Sequence, residues 1–298
     1  MLAPIKTLLT SIVDYAGLFP PATLSLPEAL QQYTQHQESY DAWMLSRFVL
    51  PVSRLNEFAT LLSKFSLKHC SLSLILSIDL GQAIVPQLSS QLNQIQSLSL
   101  PKISMRALEV PPIAPAEIEQ ILPHLPAGIE TFFEIPLGEN LKPYLAVLHD
   151  SGAAAKIRTG GITVDAFPAT PQLGQFILSC AEAAVPFKAT AGLHHPLPAN
   201  YPLTAEPNSP VARMQGFLNV VLVSALVYHQ KITRLEEALT LLQNPSIDNF
   251  QFTATDIFWQ GYSLNLNEIG AARQHFFRSF GSCSFQEPVD ALKELALL

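Results

Sequence analysis

Charge is scarce in this chain. Asp, Glu, Lys and Arg make up 14% of its 298 residues, against about 25% in an average soluble protein. No run of Lys or Arg stands out, and the formal net charge is −7, from 24 acidic and 17 basic side chains. A nucleic-acid partner needs a basic footprint that neutralises phosphates, so the composition argues against one. Cysteine is also scarce: Cys70, Cys180 and Cys283, an odd number without metal-ligand spacing. That supports neither a disulfide framework nor a zinc site, and it fits a reducing cytoplasm.

Long apolar runs are missing too. The most apolar helix-length stretch, Phe217 to Tyr228, has about 12 residues, too few to span a bilayer. It reads as a buried core helix, and no membrane partner is expected. The apolar N-terminus is interrupted by Asp14 and lacks both a charged leader and a small-residue cleavage site, so it does not read as a signal peptide. No GxGxxG or GxxxxGK[ST] follows a strand-like run, which removes the usual nucleotide-binding reading of a doubly wound sheet.

What is abundant is apolar surface: 48% of the chain is hydrophobic. That is enough to bury a full core without disulfides, with room left for a homo-oligomer interface. Strand-length apolar runs sit at Leu45–Val52, Ser71–Ser77, Ile103–Val110, Ile129–Pro136, Ala153–Thr159 and Val185–Gly192. Weaker runs sit at Phe250–Thr255 and Ser279–Phe285. Amphipathic segments alternate with them, as in βαβ units. The expected fold is α/β: a single (β/α)8 TIM-type barrel domain over 1–298, with residues 1–43 as an N-terminal helical arm packing on it. The 24 prolines are spread through the loops, with a cluster between His195 and Val211. A loop of that length is often a lid. Ser284-Phe285-Gln286-Glu287 predicts a capping box opening the last helix.

In a barrel, alternate strand residues point inward and the C-terminal strand ends build the site. In Ala154-Ala155-Lys156-Ile157-Arg158 that alternation puts Lys156 and Arg158 inward. In the next strand Lys188, Thr190, Gly192 and His194 share one face. Two lysines and an arginine then converge. Crowded, partly desolvated lysines have lowered pKa values, and a neutral amine can form a Schiff base with a carbonyl. Alternatively, a lysine simply pairs with Glu134 as a structural ion pair. Glu134 and His194 are candidate proton carriers. Arg158, Thr190 and the Gly160-Gly161 turn are candidate contacts to a carboxylate or phosphate, although a tight βα turn needs glycine just as well. His195, Glu109 and Arg106 are further ligand-side candidates, with Glu109 and Arg106 of opposite parity. Amides around Ser282 to Ser284 could hold an anion, and Cys283 precedes a helix start, where thiol pKa values fall.

Five motifs, DYAGLFPPA (14–22), AAKIRTGG (154–161), PFKATAGLHHP (186–196), GFLNV (216–220) and FGSCSFQEP (280–288), resemble those of a family of uncharacterised bacterial TIM-barrel proteins. That resemblance spans most of the chain and implies no particular activity. Lys188-Ala189-Thr190-Ala191-Gly192 is more weakly similar to the K-x-[ST]-x-G strand of deoxyribose-phosphate aldolase-like class I aldolases. Those enzymes also carry a pKa-lowering lysine followed by a Gly-Gly turn, like Lys156 here, but on the strand after the Schiff-base strand rather than before it. The resemblance implies a lyase acting on a small anionic oxo-acid or sugar-derived carbonyl compound, with Lys188 as the first choice of nucleophile, although either lysine could serve, and no cofactor. Two alternatives stay open. One is an enolate-stabilising isomerase or lyase in which Glu134, Glu109 and a histidine hold a divalent metal. The other is a non-catalytic anion-binding barrel.

Overall fold

A computed structural model describes residues 1–65, 67, 69–98, 102–136, 138, 140–204 and 207–298. Helix α1 (Ala3–Leu9) leads into strand β1 (Val13–Tyr15) and α2 (Leu26–Glu38). Then follow β2 (Leu45–Pro51), α3 (Leu55–Leu61), β3 (Cys70–Ile75), α4 (Ile84–Ser97), β4 (Ile103–Val110) and α5 (Pro115–Ile121). The middle of the chain holds β5 (Glu130–Glu134), α6 (Leu141–Leu148), β6 (Ala154–Arg158), α7 (Thr170–Glu182) and β7 (Phe187–Thr190). After it come β8 (Ala199–Pro202), β9 (Val211–Met214), α8 (Phe217–Tyr228) and α9 (Leu235–Leu242). Last are β10 (Phe250–Phe252), β11 (Asp256–Trp259), β12 (Tyr262–Asn265), α10 (Leu266–His275), β13 (Phe277–Ser282) and α11 (Gln286–Glu294).

Strands β1 to β7 and β13 close into an eight-stranded parallel barrel in that order, with β13 pairing back to β1. This is the (β/α)8 TIM-type barrel expected from the alternating pattern. The segment 1–43 does more than pack on it: α1 and α2 lie in the outer sheath, and between them Val13–Tyr15 supplies the first strand. The weak run at Phe250–Thr255 is not a barrel strand. Its first residues form the edge of a separate antiparallel sheet, β10-β11-β12. Helix α8 is buried from Phe217 to Val227, as its all-round apolarity requires. Phe217 stacks on Phe280 of β13 at 5.2 Å between centroids. Among the described residues no helix is long and apolar enough to cross a membrane.

The barrel wall divides two worlds. Its outward side chains join one continuous apolar core with the helices. Among the described residues a separate small apolar group, Ala107, Phe132 and Ala154, lies on the inward side. Above and beside that group the interior carries charge. The loop expected as a lid folds into the β8-β9 hairpin, packed through Leu203, Ala212 and Met214 against Phe167 and Tyr201. Residues 205 and 206 of that loop lie outside the described residues.

Candidate active site

The inward faces of six strands build one chain of alternating charge. Lys188 Nζ on β7 sits 2.5 Å from Asp14 Oδ2 on β1 and 2.7 Å from Glu109 Oε1 on β4. The other Glu109 oxygen lies 3.0 Å from Lys156 Nζ on β6. Lys156 is also 2.9 Å from Glu134 on β5, and Arg158 Nε donates to the second Glu134 oxygen at 3.0 Å. Hydroxyls fill the remaining acceptor sites: Ser73 donates to Glu109 and Ser279 to Asp14, each at 2.6 Å. Toward the N-terminal end, Arg47 lies 3.5 Å from Asp14 and pairs with Glu130, which Arg278 approaches at 3.4 Å. The Phe132 ring forms a floor, with Lys188 Nζ 5.3 Å from its centroid.

Register explains the convergence. Lys156 pairs with Lys188 across β6-β7 and with Glu134 across β5-β6, so all three share a level of the barrel. The expected crowding of cations is nevertheless relieved, because the Glu109 carboxylate bridges the two ammoniums. Burial alone would depress the Lys156 amine, but Glu109 and Glu134 override it and push its pKa up, opposite to the lowering expected from its lysine neighbour. Burial would likewise raise the three carboxyls. Lys188 and Arg47 override it at Asp14, Lys188 and Lys156 at Glu109, and Lys156 and Arg158 at Glu134, and all three end below the usual carboxylate range.

A cavity of about 320 Å³ opens at the C-terminal mouth. Lys156, Arg158, Thr190, His194, Gly160 and Gly161 line one side of it, and no described carboxylate reaches its lining. Lys188 is fully buried and does not line it. Facing the cations are Phe19, Pro20, Val49 and Ile75. Gly160 sits against the next loop: a Cβ there would lie 2.6 Å from the Gly192 Cα. Gly192 itself has φ +75°, a conformation that favours glycine. Both glycines are therefore required by packing, and the amides of Gly160, Gly161 and Gly192 have no hydrogen-bond acceptor among the described residues.

His194 reaches the cavity although Gly192 breaks the strand alternation that suggested it. Its Nδ1 lies 2.9 Å from Glu287 Oε2 and 3.5 Å from Ser282 Oγ, which leaves Nε2 as the ring nitrogen for a ligand. Glu287 was expected to complete a capping box. Its amide N–H does donate to Ser284 Oγ, at 3.1 Å, but its carboxylate turns to His194 instead.

Two expected positions fall outside the site, and a third lies at its edge without the expected role. Arg106 is exposed and is the extra residue where the β3-β4 register shifts from Met105 to Ala107. Such a bulge turns its side chain away while Glu109 keeps facing in. His195 stacks on Tyr201 at 3.5 Å and belongs to the hairpin's packing. The expected anion nest at Ser282 to Ser284 is closed, since Ser284 N–H donates to Ser282 Oγ at 3.3 Å. Cys283 is no activated thiol either, because burial pushes its pKa up to about 11.

Asp14, Arg47, Ser279 and Glu287 were not among the expected site residues. A signal existed for the first two: each is a lone charge inside a strand-length apolar run, Ile12-Val13-Asp14-Tyr15 and Leu45-Ser46-Arg47-Phe48-Val49-Leu50. Among the described residues no group of three or more His, Cys, Asp or Glu side chains converges as a metal site would require. Glu109 and Glu134, the carboxylates considered for one, instead face ammonium groups. Comparison with protein-family models, with curated proteins and with solved structures finds no match.

Proposed function

We propose that the protein is an enzyme that moves a proton on a small anionic carbonyl compound bound at the C-terminal mouth of the barrel. The observation that carries this reading is the cavity lining, which has two cations, one histidine and no described carboxylate. Buried ion networks contribute little to stability compared with apolar packing, whereas charged groups with perturbed pKa values in a cleft mark functional sites. (β/α)8 barrels, moreover, commonly carry enzymes, with active sites at this face.

Arg158 would hold the ligand's anionic group through its terminal nitrogens, since its Nε is engaged by Glu134. Lys156, fixed as an ammonium, would meet the carbonyl oxygen. Nε2 of His194 would take the proton from the carbon beside the carbonyl. The negative charge that develops on oxygen would be stabilised by Lys156, and the imidazolium by Glu287. Return of the proton to another atom of the substrate completes an isomerisation; loss of a leaving group completes a lyase reaction.

A second reading, a Schiff-base lyase, is favoured by one observation: Lys156 is the lysine that lines the cavity. That assigns the nucleophile to Lys156 rather than Lys188. The test is proton NMR of pyruvate in deuterated buffer with the wild-type protein, alongside borohydride treatment read by intact mass. Methyl-proton exchange that is lost in His194→Gln, without an adduct, supports the enolising reading. An adduct mapped to Lys156 moves the assignment to the Schiff base. Binding with neither exchange nor adduct leaves an anion-binding barrel.

A further inference from the structure

We infer that the ligand of this cavity is a monocarboxylic oxo acid with a short apolar chain, and not a phosphorylated sugar. The inference rests on the reading of the cavity as an anionic carbonyl site and narrows its substrate class.

The wall opposite the cations is apolar: Phe19 and Pro20 from the loop after β1, Val49 from β2 and Ile75 from β3. Val49 is 4% exposed, held rigidly by the strand. A sugar would turn hydroxyls toward that wall and find no partner there, and a buried polar group without a partner opposes binding. The side-chain hydroxyls of the lining are those of Thr163 and Thr190. Thr159, between the cations and the glycine turn, directs its Oγ1 to the backbone carbonyls of Thr190 and Ala191 instead.

Charge points the same way. Asp14, Glu109, Glu134 and Glu130 face Lys188, Lys156, Arg158, Arg47 and Arg278, so the described network carries a single positive charge before a ligand enters. A carboxylate adds one negative charge, met by the terminal nitrogens of Arg158, whose side chain is 48% exposed. A phosphate dianion adds nearly twice as much.

Barrels that bind phosphate often seat it near the last loops, at the N-terminus of a short helix. Here that place is taken. At the start of α11 the Glu287 amide donates to Ser284 Oγ, Pro288 has no N–H, and Glu287, paired with His194, puts a negative side chain in the first turn.

The experiment is calorimetric titration of the full chain with α-ketoisocaproate, pyruvate and glycerone phosphate. α-Ketoisocaproate is expected to bind about tenfold or more tightly than pyruvate, from burial of its extra methyl and methylene groups, and more tightly than glycerone phosphate. Val49→Thr, nearly isosteric, should narrow the first gap, and Arg158→Gln should weaken both oxo acids. Tighter, Arg158-dependent binding of glycerone phosphate would overturn the substrate class while keeping the anionic carbonyl site. A preference for pyruvate that Val49→Thr leaves unchanged would overturn the apolar-chain assignment in the same way. If no probe binds in an Arg158-dependent manner, the site reading itself fails, and this inference with it.

Discussion

Glu109 holds Lys188 through one carboxylate oxygen at 2.7 Å and keeps the other, at 3.0 Å, for Lys156. Both lysines are almost wholly buried, at 0% and 2% exposure. Glu109→Gln leaves them facing a neutral amide, and breaking a buried pair from one side costs about 3–5 kcal/mol. Urea denaturation should show that loss as a lower midpoint. An unchanged midpoint would mean that the ammoniums find water or another carboxylate.

His194 and Glu287 should separate in kinetics. Removing a general acid/base lowers the rate by about 10²–10⁴-fold, so His194→Gln should nearly abolish carbonyl-driven proton exchange. Glu287→Gln keeps the imidazole and removes its carboxylate partner at 2.9 Å. The expected result is a smaller loss, because the imidazolium formed on proton transfer loses its carboxylate partner. A lower melting temperature in Glu287→Gln with exchange unchanged would assign Glu287 to the fold alone.

Stability should fall with acid in two stages. Burial between Tyr15 and Phe285 lowers the His36 pKa to about 4. A depressed folded pKa contributes stability present above the unfolded value, about 6.5, and lost as pH falls toward about 4. His195, lowered in the same direction by burial and by His194, adds to this slope. The interior carboxylates begin to add their own loss only near and below about pH 4, where unfolded carboxylates protonate. Thermal melts of His36→Phe should show a shallower decline over the upper window and an unaltered lower one.

Arg106→Ala is expected to do little. The side chain is exposed at a bulge, and surface changes of this kind usually stay within about 0.5 kcal/mol. Melting temperature and α-ketoisocaproate affinity should both match wild type. A lost affinity would return Arg106 to the site.

Gly160→Ala tests the glycine contact. The added Cβ, 2.6 Å from the Gly192 Cα, must push two backbones apart, at a cost of about 1–3 kcal/mol. Because both loops edge the cavity, ligand affinity should fall together with the melting temperature.

Seven of the eight barrel strands were legible in the sequence because period-two alternation over four to eight residues is a local signal. The strand Val13–Tyr15 was not, since three residues carry too little pattern to separate a strand from an apolar arm. Phe250–Thr255 misled for the complementary reason: alternation does not reveal whether the partner strand runs parallel or antiparallel. The inward placement of Lys156, Arg158, Lys188 and Glu134 followed directly from strand parity. Parity could not see the bulge that turns Arg106 out. Nor could it foresee Gly192, whose left-handed backbone carries His194 to the cavity by another route. Asp14 and Glu287 act on residues far away in sequence, and such partnerships leave no local trace. The electrostatic error had one source: counting lysines that converge without the carboxylate that converges between them.

Closure of the barrel by its first strand has a consequence for how the protein comes into being. Asp14 meets Lys188 across 174 residues and Ser279 across 265. At synthesis rates of about 5–20 residues per second, Asp14 leaves the ribosome roughly 15 to 50 seconds before Ser279 is made. Through that interval Asp14 and Arg47 lack the closing strand and stay hydrated. Ser279 and Arg278, the contacts that β13 brings to Asp14 and Glu130, join the network only when the last strand arrives. The site is therefore complete only once β13 has joined β1 and β7.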